Sequence, residues 1–181
     1  MNEKSLIAQC VLGHRESQEI LFKRYADQIY GVCLKYARNA TEAQDILQDS
    51  FITIFEKIES FKGKGSFAGW MKRIAINTAL MKYREQKIFS IDGENKKQLE
   101  LNESDNYNDI PLNVLLKYVQ ELPDRYRLVF NMYVLDEYKH SEIANLLKIS
   151  VGTSKSNLAR AKNILQERVE SWRRENAASA S

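Results

Sequence analysis

Lys148, Lys155, Arg160 and Lys162 place four positive charges and no negative one between residues 148 and 162. A helix opened by Ser150 sets Ser156 and Arg160 four residues apart on one face, flanked by Lys155 and Asn157. Cationic side chains neutralise phosphate while Ser and Asn reach base edges, the division of labour of a recognition helix. A solvated face of a core helix is the plainer alternative. A second basic run lies between Trp70 and Lys87, where Lys72, Arg73, Lys82, Arg84 and Lys87 stand against only Glu85. Phe67, Trp70 and Tyr83 interleave with these charges and Asn77 adds an amide. Aromatic rings beside cations suit unstacked bases of a single strand; equally, Phe67 and Trp70 would anchor a helix on a bundle core. Glu42, Asp45, Gln48 and Asp49 recur at three- and four-residue steps as an acidic, polar stripe. Like charges keep such a stripe off DNA, so it faces solvent or docks a basic protein.

Catalysis finds little support. The two histidines, His14 and His140, are far apart, and no metalloprotease, nucleophile-elbow or nucleotide-binding glycine pattern occurs. Gly63-Lys64-Gly65 has part of a phosphate loop but lacks its spacing, its preceding strand and its Lys-Ser/Thr pair. Cys10 and His14 are spaced like ligands, yet Cys33 and His140 do not complete a site, and the cysteines read as small apolar side chains on helix faces. The chain is therefore expected to be no enzyme, with no cofactor and no metal.

Helices must position the charged clusters. The 181 residues include 44% hydrophobic and 28% charged side chains, a globular balance, with seven Gly and two Pro favouring long helices. Ile20, Leu21, Tyr25, Ile29, Val32, Cys33 and Tyr36 recur at three- and four-residue steps, a helical period sustained over about 20 residues. Asn39-Ala40 ends it, and Thr41 with Gln44 reads as a capping box for a second helix burying Ala43, Ile46, Leu47, Phe51, Ile54, Phe55 and Ile58. After a loop at residues 62–66, Ser66 caps a third helix from Phe67 to about Gln86. Further on, a helix covers residues 112–120, and another from Pro123 to Leu135 buries Leu128, Val129, Met132 and Tyr133. Residues 141–147 form a short helix, Lys148-Ile149 turns, and Ser150 caps a long helix to about Trp172. The short turn and the small Ala144 make a helix-turn-helix.

The net charge of +3 is unevenly spread: residues 1–90 carry 14 basic and 10 acidic side chains, whereas residues 91–112 carry 2 and 6. That acidic stretch has no sustained apolar period and reads as a linker. The expected fold is all-α, two small helical domains at 1–87 and 112–175 joined by a flexible acidic linker at 88–111, with a disordered tail at 176–181. No window approaches a membrane span and Met1 to Ile7 has no signal-peptide core, so a cytoplasmic location is expected, without membrane contact.

Phe22 to Tyr25, Thr41-Glu-Ala-Gln-Asp-Ile-Leu-Gln-Asp-Ser-Phe51 and Phe67-Ala-Gly-Trp-Met-Lys-Arg-Ile-Ala-Ile-Asn77 resemble conserved region 2 of bacterial sigma factors. Leu122-Pro-Asp-Arg-Tyr-Arg127, Glu142-Ile-Ala144, Ile149-Ser-Val-Gly-Thr153 and Asn157-Leu-Ala-Arg-Ala161 resemble region 4. Over about residues 5–172 the chain is similar to the small extracytoplasmic-function (ECF) type. The resemblance implies that Glu42, Asp45, Gln48 and Asp49 dock the β′ clamp helices of core RNA polymerase, with region 4 on the β subunit. It implies that Lys64, Trp70, Lys72, Arg73, Asn77 and Arg84 open and hold the −10 promoter element, Asn77 near a flipped base. It places Thr153, Lys155, Ser156, Asn157, Arg160 and Lys162 on the −35 element and the linker in the polymerase channel that RNA later occupies; there the linker's acidic excess is expected to mimic RNA. An anti-sigma factor is an implied partner beside promoter DNA. Ser154 and Asn157 stand where relatives often carry an apolar residue and Arg, so the −35 preference does not transfer. Lys139 replaces the usual Ser or Thr cap, which would loosen that helix start. The competing readings are a free-standing helix-turn-helix repressor or activator with a dimerising bundle, and a helical interaction module without a DNA role.

Overall fold

The computed structural model describes residues 2–85 and 110–178, which contain eight α-helices and no strand. The chain divides into two compact units at Lys82–Tyr83. The expected acidic linker at 88–111 falls almost wholly outside the described residues, as do residues 179–181 of the expected tail.

In the first unit, α1 (Glu3–Val11) is a helix that the sequence reading did not delineate. Asn2 caps it by accepting from the Ser5 N–H at 2.8 Å. Leu6 and Cys10, one turn apart, are buried, and the Tyr25 hydroxyl donates to the Glu3 carboxylate, so α1 is fixed to α2 (Arg15–Tyr36). Leu21, Tyr25, Ile29, Val32, Cys33 and Tyr36 of α2 are buried as their period requires, but Ile20 is left 41% exposed at the edge of the stripe.

Helix α3 (Ala40–Lys57) begins one residue before the expected cap. Asn39, not Thr41, accepts from the Glu42 N–H at 2.9 Å, and the Glu42 carboxylate accepts from the Arg38 N–H at 2.6 Å. The Thr41–Gln44 box is thus displaced by two residues. Asn39 already has the extended backbone a cap needs, which leaves Thr41 inside the helix. Ala43, Ile46, Phe51 and Ile54 face inward, each large one adding roughly 1.5–3 kcal/mol by burial. A short 3₁₀ turn (Ile58–Ser60) follows. Gly63 and Gly65 adopt positive φ, +71° and +82°, letting the loop reverse into α4 (Phe67–Glu85). The Ser66 hydroxyl accepts from the Gly69 N–H at 3.0 Å, the expected cap.

The second unit is built on α5 (Leu112–Gln120), α6 (Asp124–Phe130), α7 (His140–Leu147) and α8 (Val151–Ala178). Pro123 stands at the N-cap rather than inside α6. The expected single helix from 123 to 135 is instead α6 running into a π turn at Asn131–Leu135. The wider turn rotates the register, so Tyr133, expected inside, is 40% exposed, while Leu128, Val129 and Met132 are buried. Leu122 and Tyr126 pack against Ala161 of α8, with Phe130, Ile164 and Leu165 around them. Arg127 is 1% exposed and donates to the Gln120 and Leu122 carbonyls at 3.1 and 2.9 Å and to Asp124 Oδ1 at 2.5 Å. One guanidinium therefore ties the end of α5 to the start of α6.

Lys139 has no capping side chain, but its N–H donates to the Glu142 carboxylate at 2.8 Å, which replaces half of the missing cap. Helix α7 begins at His140 and ends at Lys148 in left-handed geometry, φ 58° and ψ 42°. The Ser150 hydroxyl accepts from the Thr153 N–H at 2.9 Å, as expected of an α8 cap. Helix α8 continues past Trp172, and residues 176–178, expected as disordered tail, are helical. The helix is sustained there locally; the Asn176 amide donates to the Trp172 carbonyl at 2.8 Å. A lysine in left-handed geometry costs about 1–2 kcal/mol relative to an ordinary residue conformation. Lys148→Gly is accordingly expected to raise the stability of the unit by about 0.5–1 kcal/mol after the added freedom of the unfolded chain is subtracted, read as a higher thermal midpoint.

Candidate functional surfaces

The acidic stripe of α3 divides under the structure. Asp45, Gln48 and Asp49 lie exposed, opposite the buried Ala43, Ile46 and Ser50. Glu42 does not join them: its side chain is only 11% exposed and is engaged by Arg38 and the α3 cap. The Glu42 carboxylate, expected on the docking stripe, instead has a structural contact, because the third residue of a helix is where a carboxylate satisfies backbone donors. Lys82 of α4 reaches to 3.7 Å from Asp45, so one carboxylate of the stripe is partly screened.

On α4, the advance of about 100° per residue brings Trp70, Arg73, Asn77, Met81 and Arg84 within about 80° of one another. Arg73, Asn77 and Arg84 are exposed, Trp70 is half-buried, and Met81 is 57% exposed. Met81 is a member of this face that the sequence reading missed; its seven-residue offset from Ile74 hid it within an apolar run. Lys72 is half-buried, about 100° away from Arg73, and does not share the face. Phe67 and Tyr83 are buried and present no platform. Trp70 stacks on Phe67 with centroids 5.4 Å apart and touches Phe61 at 5.6 Å, so one part of its indole is held by the core while the rest stays accessible. Trp70 is thus an anchor on the core whose indole stays partly accessible. Lys64 is exposed in the loop ahead of α4.

On α8, Thr153, Ser156 and Arg160 fall within about 60° of one another and stay partly accessible, while Lys155 is exposed to one side and Lys162 is half-buried. The Ser156 hydroxyl donates to the Thr153 carbonyl at 3.0 Å, leaving its oxygen as an acceptor. Arg160 Nη1 donates to the Tyr126 hydroxyl at 3.1 Å. Asn157 is the correction. It is 3% exposed and belongs to the core row of Ser154, Asn157, Leu158 and Ala161, so it does not reach a base edge. Among the described residues its amide nitrogen has no hydrogen-bond partner, an expensive arrangement for a buried donor. Ser154, fully buried, is satisfied by His140 Nδ1 at 2.9 Å, and the His140 ring stacks on Tyr133 with centroids 4.4 Å apart. Burial, with the nearby Lys155 charge, lowers the His140 pKa.

Cys10 and Cys33 are free buried thiols; burial pushes Cys33 up to about 12, where a thiolate nucleophile is lost. Among the described residues no helix is long and apolar enough to cross a membrane, and no three His, Cys, Asp or Glu side chains gather as metal ligands.

An α-helical unit with an exposed acidic face on one helix and a cationic-aromatic face on another, followed by a unit ending in a helix-turn-helix, is the architecture of a DNA-directed transcription protein. Residues 21–88 match the profile of sigma-70 region 2, and residues 112–165 that of sigma-70 region 4. Over 179 residues the chain is 29% identical to the ECF RNA polymerase sigma factor SigW of Bacillus subtilis, covering 92% of this chain and 96% of that protein. It is 23% identical over 183 residues to the ECF RNA polymerase sigma-E factor of Haemophilus influenzae, covering 94% and 96%. The sigma factor RpoE of Bartonella quintana, solved with the anti-sigma factor NepR, shares the fold with a TM-score of 0.52 and 19% identity over 84% of this chain and 96% of that one. The chain belongs to the sigma-70 family, in its extracytoplasmic-function type.

Proposed function

We propose that this sigma factor is a dissociable, non-enzymatic subunit that works in the cytoplasm, docking core RNA polymerase through α3 and reading promoters with α4 and α8. The observation that carries the reading is the exposure of two differently charged faces, Asp45, Gln48 and Asp49 on α3 and Arg73, Asn77 and Arg84 with the half-buried Trp70 on α4. An anionic face is repelled by DNA and fits a basic protein surface such as the β′ clamp helices. A cationic face with an accessible indole edge and an amide fits an unstacked −10 base, whose capture stabilises the opened strand. Thr153, Lys155, Ser156 and Arg160 then enter the −35 major groove, with Lys162 and Lys64 near phosphates. Region 4 would contact the β subunit, and an anti-sigma factor would compete for these faces. A free-standing repressor has no use for the α3 face.

Run-off transcription with purified core polymerase on randomised promoter templates tests this. The expected outcome is initiation that depends on the protein and enriches a two-part motif; absence of both initiation and co-elution with core polymerase would return the chain to the repressor reading. Within that assay, Arg160→Ala is expected to weaken −35-dependent initiation by about 1–3 kcal/mol at one base position. A uniform loss across templates would mark a phosphate contact instead.

A further inference from the structure

We propose that Tyr126 is a positioning residue for promoter reading, its hydroxyl fixing the Arg160 guanidinium that projects from α8. This rests on Arg160 being a base-reading residue, as argued above. Tyr126 lies on α6, outside the helix-turn-helix.

The geometry has three parts. The Tyr126 ring is 8% exposed and wedged between Leu122 and Ala161, with Phe130, Ile164 and Leu165 around them, so the phenol is held by packing on both helices. Its oxygen accepts from Arg160 Nη1 at 3.1 Å and from Arg125 Nη2 at 3.3 Å. Arg125 also covers the ring face, its guanidinium carbon 4.9 Å from the centroid. A phenol oxygen has two lone pairs and accepts both donors while its own proton points elsewhere. Burial alone pushes the Tyr126 phenol up, but the hydrogen bond from Arg160 and the charges of Arg125 and Arg160 outweigh it and the net shift is downward. The oxygen therefore sits as an acceptor between two cationic donors.

The consequence for recognition is entropic and directional. A freely rotating arginine carries about 2 kcal/mol of rotamer entropy, much of which is lost when it forms a bidentate pair with a guanine edge. Anchoring one Nη of Arg160 removes part of that freedom before DNA arrives. It also fixes the plane of the fork, since the guanidinium is rigid. Arg125 cannot do this for Arg160 itself, because two cations repel; the shared phenol oxygen is what lets them sit together.

The test uses holoenzyme transcription on templates randomised over the −35 element, with the wild type, Tyr126→Phe, Arg160→Ala and the double variant. Phenylalanine keeps the ring and its packing and removes only the hydroxyl, and an unchanged thermal midpoint verifies this. The expected result is that Tyr126→Phe loses about three- to tenfold discrimination at the same base position as Arg160→Ala and none elsewhere. In the Arg160→Ala background the second substitution should then have no further effect. A silent Tyr126→Phe beside an effective Arg160→Ala overturns the positioning role alone. Additive losses, or a loss spread evenly over all positions, overturn it as well by marking a structural role. An Arg160→Ala variant that is neutral, or weakens every sequence equally, removes base reading by Arg160 and the positioning role with it.

Discussion

Asp45→Arg with Asp49→Arg is expected to abolish co-elution with core RNA polymerase and all protein-dependent initiation, while the far-UV circular dichroism of the chain stays unchanged. Close charge pairs at protein interfaces couple by about 1.5–7 kcal/mol, so reversing two of them is worth at least about a hundredfold in affinity. The fold should tolerate the change. Both side chains are exposed, and the one intramolecular partner described, Lys82 at 3.7 Å from Asp45, belongs to a surface pair whose loss costs about 0–1 kcal/mol. The neutral pair Asp45→Asn with Asp49→Asn should fall between, and its residual binding should lose most of its dependence on salt. Glu42→Gln separates docking from capping: it should lower stability through the Arg38 N–H and leave polymerase affinity of the folded protein unchanged. Full co-elution of the double arginine variant would place the docking surface elsewhere.

The second large effect is expected at Arg127. Replacing it with Met keeps an extended apolar stem but removes the guanidinium that donates to the Gln120 and Leu122 carbonyls and the Asp124 carboxylate. Breaking a buried charged pair by removing one partner costs about 3–5 kcal/mol. A small helical unit has a total stability of that order, so the second unit should be largely unfolded at 37 °C and −35-dependent initiation lost. Urea denaturation followed by circular dichroism reads this as an early loss of part of the helical signal. Arg127→Lys should not rescue it, because a single ammonium cannot span acceptors arranged for a planar fork. A shift below about 1 kcal/mol would show that water replaces the guanidinium without penalty.

Most of the helical architecture was legible because the rules that make a helix act within four residues. The period of Leu21, Tyr25, Ile29 and Val32 marks one buried stripe, and Ser66 and Ser150 cap the helices they precede. Local rules failed where two local solutions compete. Asn39 and Thr41 are both good caps, and the choice fell to the one with extended backbone and a carboxylate three residues on. The π turn at Asn131–Leu135 left no mark in the apolar pattern, since inserting one residue into a turn only matters to the side chains that pack after it.

The candidate surfaces were legible as charge and only partly as geometry. Lys155, Ser156 and Arg160 were identified from spacing after a short turn, and Asp45, Gln48 and Asp49 from a run of like character. Asn157 and Glu42 share those patterns and are not available, one buried against the core row of α8 and the other spent on a helix cap. By itself the sequence determined the helices, their order, the two family regions and the sign of charge on each face, because periodicity, capping and Coulomb forces are carried by neighbouring residues. Tertiary structure alone decided which polar side chains on those helices remain outside. That choice depends on residues far apart in sequence: Ser154 meets His140, and Arg160 meets Tyr126, only after α8 has packed on the helices before it.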